Sequence, residues 1–312
     1  MQLEEELARF SLPREALVAV GVFDGVHRGH RFLISRLKEL AAERGLASVV
    51  LTFRQHPLEV LAPPTVLPYL TDAGEKAALL GQTGVDTVAV ISFTPEVAAL
   101  SAGEFIALLQ KHLRMRGLVM GPDFALGRGR EGDTARLEAL GREAGFTVTV
   151  VAAVEAGGEV VSSTAIRHAL AAGDMSRVTR LLGRPYRIRG TVVTGAGRGA
   201  GIGFPTANFE VDPKKAMPPE GVYATWAHVG GRAHPSMTNI GRCPTFGGQK
   251  TAVEVHLLDF SGDLYGQELA VELVERLRDE RRFDSVDELR RQIAEDVRLG
   301  SQILGSHAGG HS

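Results

Sequence analysis

The sequence predicts an α/β domain followed by a smaller antiparallel β-barrel with a terminal helix. Three observations carry this. From residue 17 to about 153, short apolar runs alternate with segments of helical period, as in a parallel sheet with helices on its faces. From Tyr186 onward the chain changes to short strand-like segments separated by glycine and proline turns, as in a small barrel. Near the end, residues 285–304 place Val286, Leu289, Ile293 and Val297 on one helical face, with Ser285 as cap and Glu288 at capping-box distance.

The elements follow in order. Ala16-Leu17-Val18-Ala19-Val20 reads as a buried strand. Phe32, Leu33, Leu37 and Leu40 then recur at helical spacing through residues 31–44. Residues 48–53 are strand-like, and a proline-rich connection runs from His56-Pro57 to Pro68. Thr71 is the expected N-cap of a helix ending at Gly81. Strands are expected at 86–93, 117–121 and 146–152, with helices at 101–113 and 134–144 between them. A helix over 174–182 ends at Gly183-Arg184-Pro185, which sets a domain boundary: 1–183, then 184–305. In the second domain, strands are expected at 187–194, 221–229, 233–240, 252–258 and 268–278. Residues 306–312, rich in glycine, histidine and serine, are expected to be a disordered tail.

Composition bounds the function. A length of 312 residues suits two domains. The net charge of −2 gives no electrostatic footprint for nucleic acid or an anionic membrane. The single cysteine, Cys243, excludes an intramolecular disulfide and fits a reducing compartment. Apolar runs stop short of the ~18–20 residues of a membrane span. The acidic start Met1-Gln2-Leu3-Glu4-Glu5-Glu6 is unlike a signal peptide. The expectation is a cytoplasmic protein with small-molecule partners, no nucleic acid and no membrane; a homo-oligomer is left open.

Chemistry concentrates in a few stretches. Gly21-Val22-Phe23-Asp24-Gly25-Val26-His27-Arg28-Gly29-His30 lies between the first strand and the first long helix. Glycines at 21, 25 and 29 let backbone approach a ligand closely, and a helix start favours phosphate. His27 and His30 are one turn apart, so both imidazoles can face one point, which makes a site for a nucleoside triphosphate. Capping and a metal site with Asp24 as third ligand are the competing readings. Gly127-Arg128-Gly129-Arg130-Glu131-Gly132 matches G-x-G-x-x-G but does not join a strand to a helix, so a mobile loop near phosphates fits better than a dinucleotide fingerprint. No Walker loop occurs. In Val160-Val161-Ser162-Ser163-Thr164-Ala165-Ile166-Arg167, either serine can cap a helix, and Arg167 one turn in can reach a triphosphate. The glycine-dense stretch from Gly195 through Arg198 to Gly203 fits a loop over phosphates, with a flexible linker as the bland alternative. Further on, Glu254 and His256 share one strand face, which solvent alone would also explain.

His27-Arg28-Gly29-His30 after Gly21-Val22-Phe23-Asp24-Gly25 resembles the HxGH signature of nucleotidylyltransferases, in the form found in bacterial bifunctional riboflavin kinase/FAD synthetases. Ser162-Ser163-Thr164-x-Ile166-Arg167 and Phe204-Pro205-Thr206-Ala207-Asn208, similar to the PTAN signature of riboflavin kinases, extend the resemblance along nearly the whole chain. It implies a Rossmann-like nucleotidylyltransferase domain and a riboflavin kinase-like barrel. Riboflavin would be phosphorylated by ATP, and the FMN adenylylated by a second ATP to FAD and pyrophosphate, both with Mg²⁺. It implies His27, His30 and Glu254 as catalytic residues, Glu254 being the base. It implies nucleotide contacts at Gly21, Phe23, Asp24, Gly25, Ser163, Thr164, Arg167, Gly195, Arg198 and Gly203. Segments around Phe53, His56, Asp123 and Phe124 resemble those flanking the flavin, and Thr206 and Asn208 fall at the metal and phosphate site. Phe283, before the terminal helix, is expected to help cover the flavin. Two rival functions remain at this level: a single-activity adenylyltransferase acting on another phosphorylated metabolite, and a flavin-binding regulator.

Overall fold

The computed structural model describes residues 2–63, 67–194, 198–245 and 248–307, with backbone only at 198, 200, 242–245, 248–250 and 307. Two compact units divide the chain after Ser163.

The first unit opens with a helix that the sequence pattern did not reveal, α1 (Gln2–Ala8), which buries Leu3 and Leu7. Then follow β1 (Ala16–Val20), α2 (Arg28–Glu43), β2 (Ala47–Phe53), α3 (Pro57–Leu61), α4 (Ala73–Gly81), β3 (Thr87–Ile91), α5 (Pro95–Ala99), α6 (Ala102–Leu113), β4 (Met115–Met120), α7 (Thr134–Ala144) and β5 (Thr147–Val150). The strands form one parallel sheet in the order β3-β2-β1-β4-β5. Every residue of β1 is buried because both faces are covered. Ala16, Val18 and Val20 join a core with α1, α6 and α7, whereas Leu17 and Ala19 join one with α2 and α4. The strand order reverses beside β1, so the turn after it and the segment after β4 lie at a topological switch point, where α/β sheets bind ligands.

Two expectations about this unit change. Asp72, not Thr71, caps α4, its side chain accepting from Glu75 N. The proline-rich connection contains α3, started by His56 and Pro57. The Gly127–Gly132 segment is anchored: Leu126 bridges Gly132, and Arg128 N donates to Leu100 O at 2.7 Å. A short hairpin pairs β6 (Glu155–Ala156) with β7 (Glu159–Val160).

Helix α8 (Ser163–Ala171) spans the division, and α9 (Met175–Leu182) packs on strands of the second unit. That unit is a closed antiparallel barrel of six strands, β8 (Tyr186–Val193), β9 (Ala207–Phe209), β10 (Gly221–Val229), β11 (Arg232–Thr245), β12 (Gly248–Leu257) and β13 (Glu268–Arg278), in the order β10-β11-β12-β9-β8-β13. A short helix, α10 (Arg198–Gly201), lies between β8 and β9. The extra strand is β9, in a segment expected to be loop. Inside the barrel, Val253, Val255 and Leu257 are buried with a hydroxyl cluster in which Thr225 Oγ1 lies 2.8 Å from both Ser236 Oγ and Thr238 Oγ1. The terminal helix α11 (Val286–His307) covers the outside of β10, β11 and β13 over Ala224, Trp226 and Met237. It runs on through residues expected to be tail; residues 308–312 of that tail lie outside the described residues. A bidentate pair between Arg278 and Asp296 ties the helix to the end of β13.

Candidate active sites

In the first unit the chain leaves β1 in a conformation most residues resist. Phe23 has φ 51° and Val26 φ 39°, with Gly25 at 81°. A left-handed backbone at a β-branched residue is an outlier, and such strain clusters at functional sites. Buried hydrogen bonds hold it. The Asp24 carboxylate, 5% exposed, accepts from Leu70 N at 2.9 Å and from Thr71 N at 3.0 Å. Thr71 Oγ1 in turn accepts from Gly25 N at 3.0 Å, which is why this threonine is not a cap. Ser163 Oγ donates to Asp24 O at 2.9 Å, so this serine of the second motif holds the same turn.

The turn delivers the histidines together. His27 is the N-cap of α2, and its Nδ1 accepts from His30 N at 3.3 Å. The two rings stack at 3.5 Å and 17°, with the Phe23 ring edge-on to His30 at 5.0 Å. Gly29 makes room for this, because a Cβ there would sit 3.2 Å from His27 Cε1 and Nδ1. Burial, then His27, then Lys76 push the His30 pKa well below its ordinary value. His30 is therefore neutral near pH 7, and its Nδ1 has no partner among the described residues.

The remaining sites expected here fall at strand ends. Phe53 closes β2 with its ring in the core, 5.2 Å from Phe93. His56 Nδ1 accepts from Leu58 N at 3.2 Å and so serves α3 as a cap. After β4, Asp123 is exposed and Phe124 half-buried against the core. Thr164 and Arg167 follow on α8, within the second unit. One residue escaped the sequence reading altogether. Lys76, which looks like an ordinary helix lysine, is buried, and its Nζ donates to Phe53 O at 2.6 Å and Val22 O at 3.1 Å.

In the second unit, barrel register builds the site. Asn208 lies directly across from Glu254, which in turn lies across from Asn239. Facing residues on antiparallel strands bring Cβ atoms within about 5 Å, so this is one polar row on the barrel's outer face. Asn239 was missed because its strand reads as plain alternation; its Nδ2 donates to Glu280 Oε1 at 3.4 Å. Pro205, Thr206 and Ala207 line a cavity of about 380 Å³ with Phe260, Leu264 and Tyr265. His256, on the same face as Glu254, holds this segment: its Nδ1 is 2.8 Å from Pro205 O and its ring meets Phe204 edge-on at 5.4 Å. Gly199 allows the close fold-back, since a Cβ there would lie 2.3 Å from Phe204 O. Gly203 takes φ 88° just before it. Gly195 lies outside the described residues, as does the side chain of Arg198. Phe283 has the Arg281 guanidinium 4.6 Å from its ring centroid.

The fold and these candidate sites fit the class of two-part nucleotide-dependent transferases: a strained turn bearing stacked histidines at the switch point of one unit, and a carboxylate on the polar face of a barrel in the other. Residues 10–165 match the family model described as FAD synthetase, and residues 182–304 the model for riboflavin kinase. The chain is 43% identical to the bifunctional riboflavin kinase/FMN adenylyltransferase of Escherichia coli K12 over 296 residues, 94% of each chain. The Pseudomonas fluorescens protein of the same name is 41% identical over 95% of each, and that of Bacillus subtilis 37% over 90%. A solved structure described as a macrolide-efflux protein from Streptococcus pneumoniae superposes with TM-score 0.89 at 31% identity, covering 96% of this chain and 97% of that one. Among the described residues no helix is long and apolar enough to cross a membrane.

The chain belongs to the bifunctional riboflavin kinase/FMN adenylyltransferase family. It is an enzyme of flavin cofactor synthesis with both activities, using riboflavin, FMN and ATP as substrates.

Proposed function

We propose that the two reactions are divided between the two sites just described, with FMN adenylylation at the His27–His30 turn and riboflavin phosphorylation at the Thr206–Glu254 face. In the first reaction an oxygen of the FMN phosphate attacks the α-phosphorus of ATP, and the bond to the α–β bridging oxygen breaks to release pyrophosphate. The nucleophile is already anionic, so this site needs no general base. Its work is alignment and neutralisation of phosphate charge. The helix start of α2 and the stacked imidazoles suit that work. His30, neutral in the free enzyme, is drawn toward its protonated form as phosphate charge approaches. Arg167 and Thr164 are proposed as further triphosphate contacts, with Ser163 and Asp24 holding the turn from behind. Phe53, His56, Asp123 and Phe124 mark the strand ends where the flavin is proposed to lie.

In the second reaction a ribityl hydroxyl attacks the γ-phosphorus, the bond to the β–γ bridging oxygen breaks, and ADP leaves. Glu254 accepts the hydroxyl proton. The register that sets Glu254 opposite Asn208 is the observation that carries this assignment. Thr206 and Asn208 offer a hydroxyl and a carboxamide oxygen, hard donors of the kind Mg²⁺ takes when most of its shell is water and phosphate. Thr206 faces a cavity with room for such a shell, so the residues fit the ion. When bound it would neutralise charge on the transferring phosphate. The Gly199–Gly203 segment and Arg198 are proposed to lie over the phosphates. A cytoplasmic location, no nucleic-acid or membrane partner, and a boundary near residue 183 between the catalytic domains complete the reading.

The test is to incubate the protein with riboflavin, ATP and Mg²⁺ and separate the flavins. Glu254→Ala should stop FMN formation yet convert supplied FMN to FAD, and His30→Ala should do the reverse. FMN formed at full rate by Glu254→Ala would remove the base assignment. A requirement for Mg²⁺ in each half-reaction is read in the same assay with a chelator.

A further inference from the structure

Lys76 occupies an unusual place. It is 5% exposed, yet among the described residues no carboxylate lies within salt-bridge distance of it, and its hydrogen bonds there run to the carbonyls of Val22 and Phe53. Those carbonyls lie at the carboxyl ends of neighbouring parallel strands. Val22 extends β1 by two residues, and Phe53 is the last residue of β2. The extension is tied to β2 at two other points: Gly21 N donates to Leu51 O at 3.0 Å, and Thr52 Oγ1 to Val22 O at 3.0 Å. The ammonium closes this junction directly before Phe23, where the backbone turns left-handed. Taking an ammonium out of water is unfavourable, so a lysine is a costly way to satisfy two carbonyls.

We infer that Lys76 is a positioning residue for adenylyl transfer: by clamping the ends of β1 and β2 it fixes where the strained turn begins and so where the stacked His27–His30 pair stands. This rests on the reading of that turn as the adenylyl-transfer site. Two electrostatic observations agree with it. Burial lowers the pKa of Lys76 while Asp24, in the turn, counters the shift, so the charge is held by the turn it organises. The same ammonium contributes to the lowering at His30, after burial and His27. The titratable groups facing it are therefore Asp24 and His30, with His27 stacked on the latter; on its own helix, Asp72 caps and Glu75 stands in the first turn.

The experiment uses the full chain with Lys76→Gln, which keeps two N–H donors without the charge, and Lys76→Met, which keeps neither. FAD formation from FMN and ATP is measured beside riboflavin phosphorylation by the same preparation, and His30 is titrated by ring NMR. In both variants kcat for FAD formation should fall, by on the order of 10²-fold in Lys76→Met if the pair moves by about 1 Å. Riboflavin phosphorylation should be unchanged. The His30 midpoint should rise, because the lowering contributed by the ammonium is gone. Full-rate FAD formation in Lys76→Met, or an unmoved His30 midpoint, overturns the inference. So does failure of the first unit to fold in Lys76→Gln, which would make this a folding residue. His30→Ala is run alongside: if it retains FAD formation, the site reading itself fails, whatever Lys76 does.

Discussion

Replacing Gly29 with alanine separates geometry from folding at the proposed adenylyl-transfer site. The added Cβ would lie 3.2 Å from both Cε1 and Nδ1 of His27 and 3.6 Å from Val161 O. Ordinary contact between such atoms begins at about 3.5 Å, so the ring must withdraw by about 0.3 Å or a little more. It cannot do so alone, because it stacks at 3.5 Å on His30 and caps α2 through His30 N. A misplacement of about 1 Å costs on the order of 10²-fold in rate, so a few tenths should cost about 5- to 10-fold in kcat for FAD formation. Stability should hardly move. A weakened cap loses about 1 kcal/mol, and exchanging glycine for alanine inside a helix regains a similar amount. Riboflavin phosphorylation by the same polypeptide should be untouched. The assay is therefore both half-reactions plus a thermal melt on one preparation. Unchanged FAD formation with an unchanged melt would refute the claim that ring placement is set by the missing side chain.

Three further predictions concern other contacts. Glu272 is buried between Arg187 and His228 Nε2, the latter at 3.3 Å; burial opposes its charge, but the bonds from His228 and then Arg187 outweigh that and hold its pKa down to about 2. A carboxyl depressed from 4.5 to about 2 contributes about 3 kcal/mol above pH 4.5, lost as pH falls from 4.5 toward 2. The barrel's melting temperature should therefore fall more steeply over that window in the wild type than in Glu272→Gln. Asp24→Asn turns one acceptor oxygen into a donor facing Leu70 N and removes the charge that both N–H groups donate to, and should destabilise the first unit by about 1–3 kcal/mol, read as an earlier melting transition. His256→Ala removes the bond to Pro205 O and the edge contact with Phe204; KM for ATP in riboflavin phosphorylation should rise several-fold while FAD formation is unchanged.

Most of the architecture was legible because it rests on local pattern. The fully apolar run at 16–20, the helical spacing at 101–113 and the strand-like segment at 221–229 each correspond to an element with nearly those bounds. What escaped was decided at a distance. Thr71 has the chemistry of a cap, but a carboxylate 47 positions away claims its N–H, and Gly25 its hydroxyl. The Thr206–Phe209 region looked like loop because it follows a stretch with five glycines and a proline, yet Ala207, Asn208 and Phe209 pair with β12, and the last two also with β8, to close the barrel. Lys76 and Asn239 carry no signal by residue type, since an ordinary lysine or asparagine at those spacings belongs on a solvated face.

The sequence by itself determined the two fold classes, the order of nearly all elements, and, through its HxGH-like and PTAN-like stretches, the family and its two reactions. Those follow from residue type and short-range spacing, which a linear chain displays. Only the tertiary structure decided that the histidines stack rather than converge, that Asp24 turns its carboxylate inward to hold the loop, that Glu254 stands across from Asn208, and that an ammonium closes the ends of β1 and β2. Each of these depends on which distant backbone groups are left without a partner once the sheets have formed, and strand order and register settle that question.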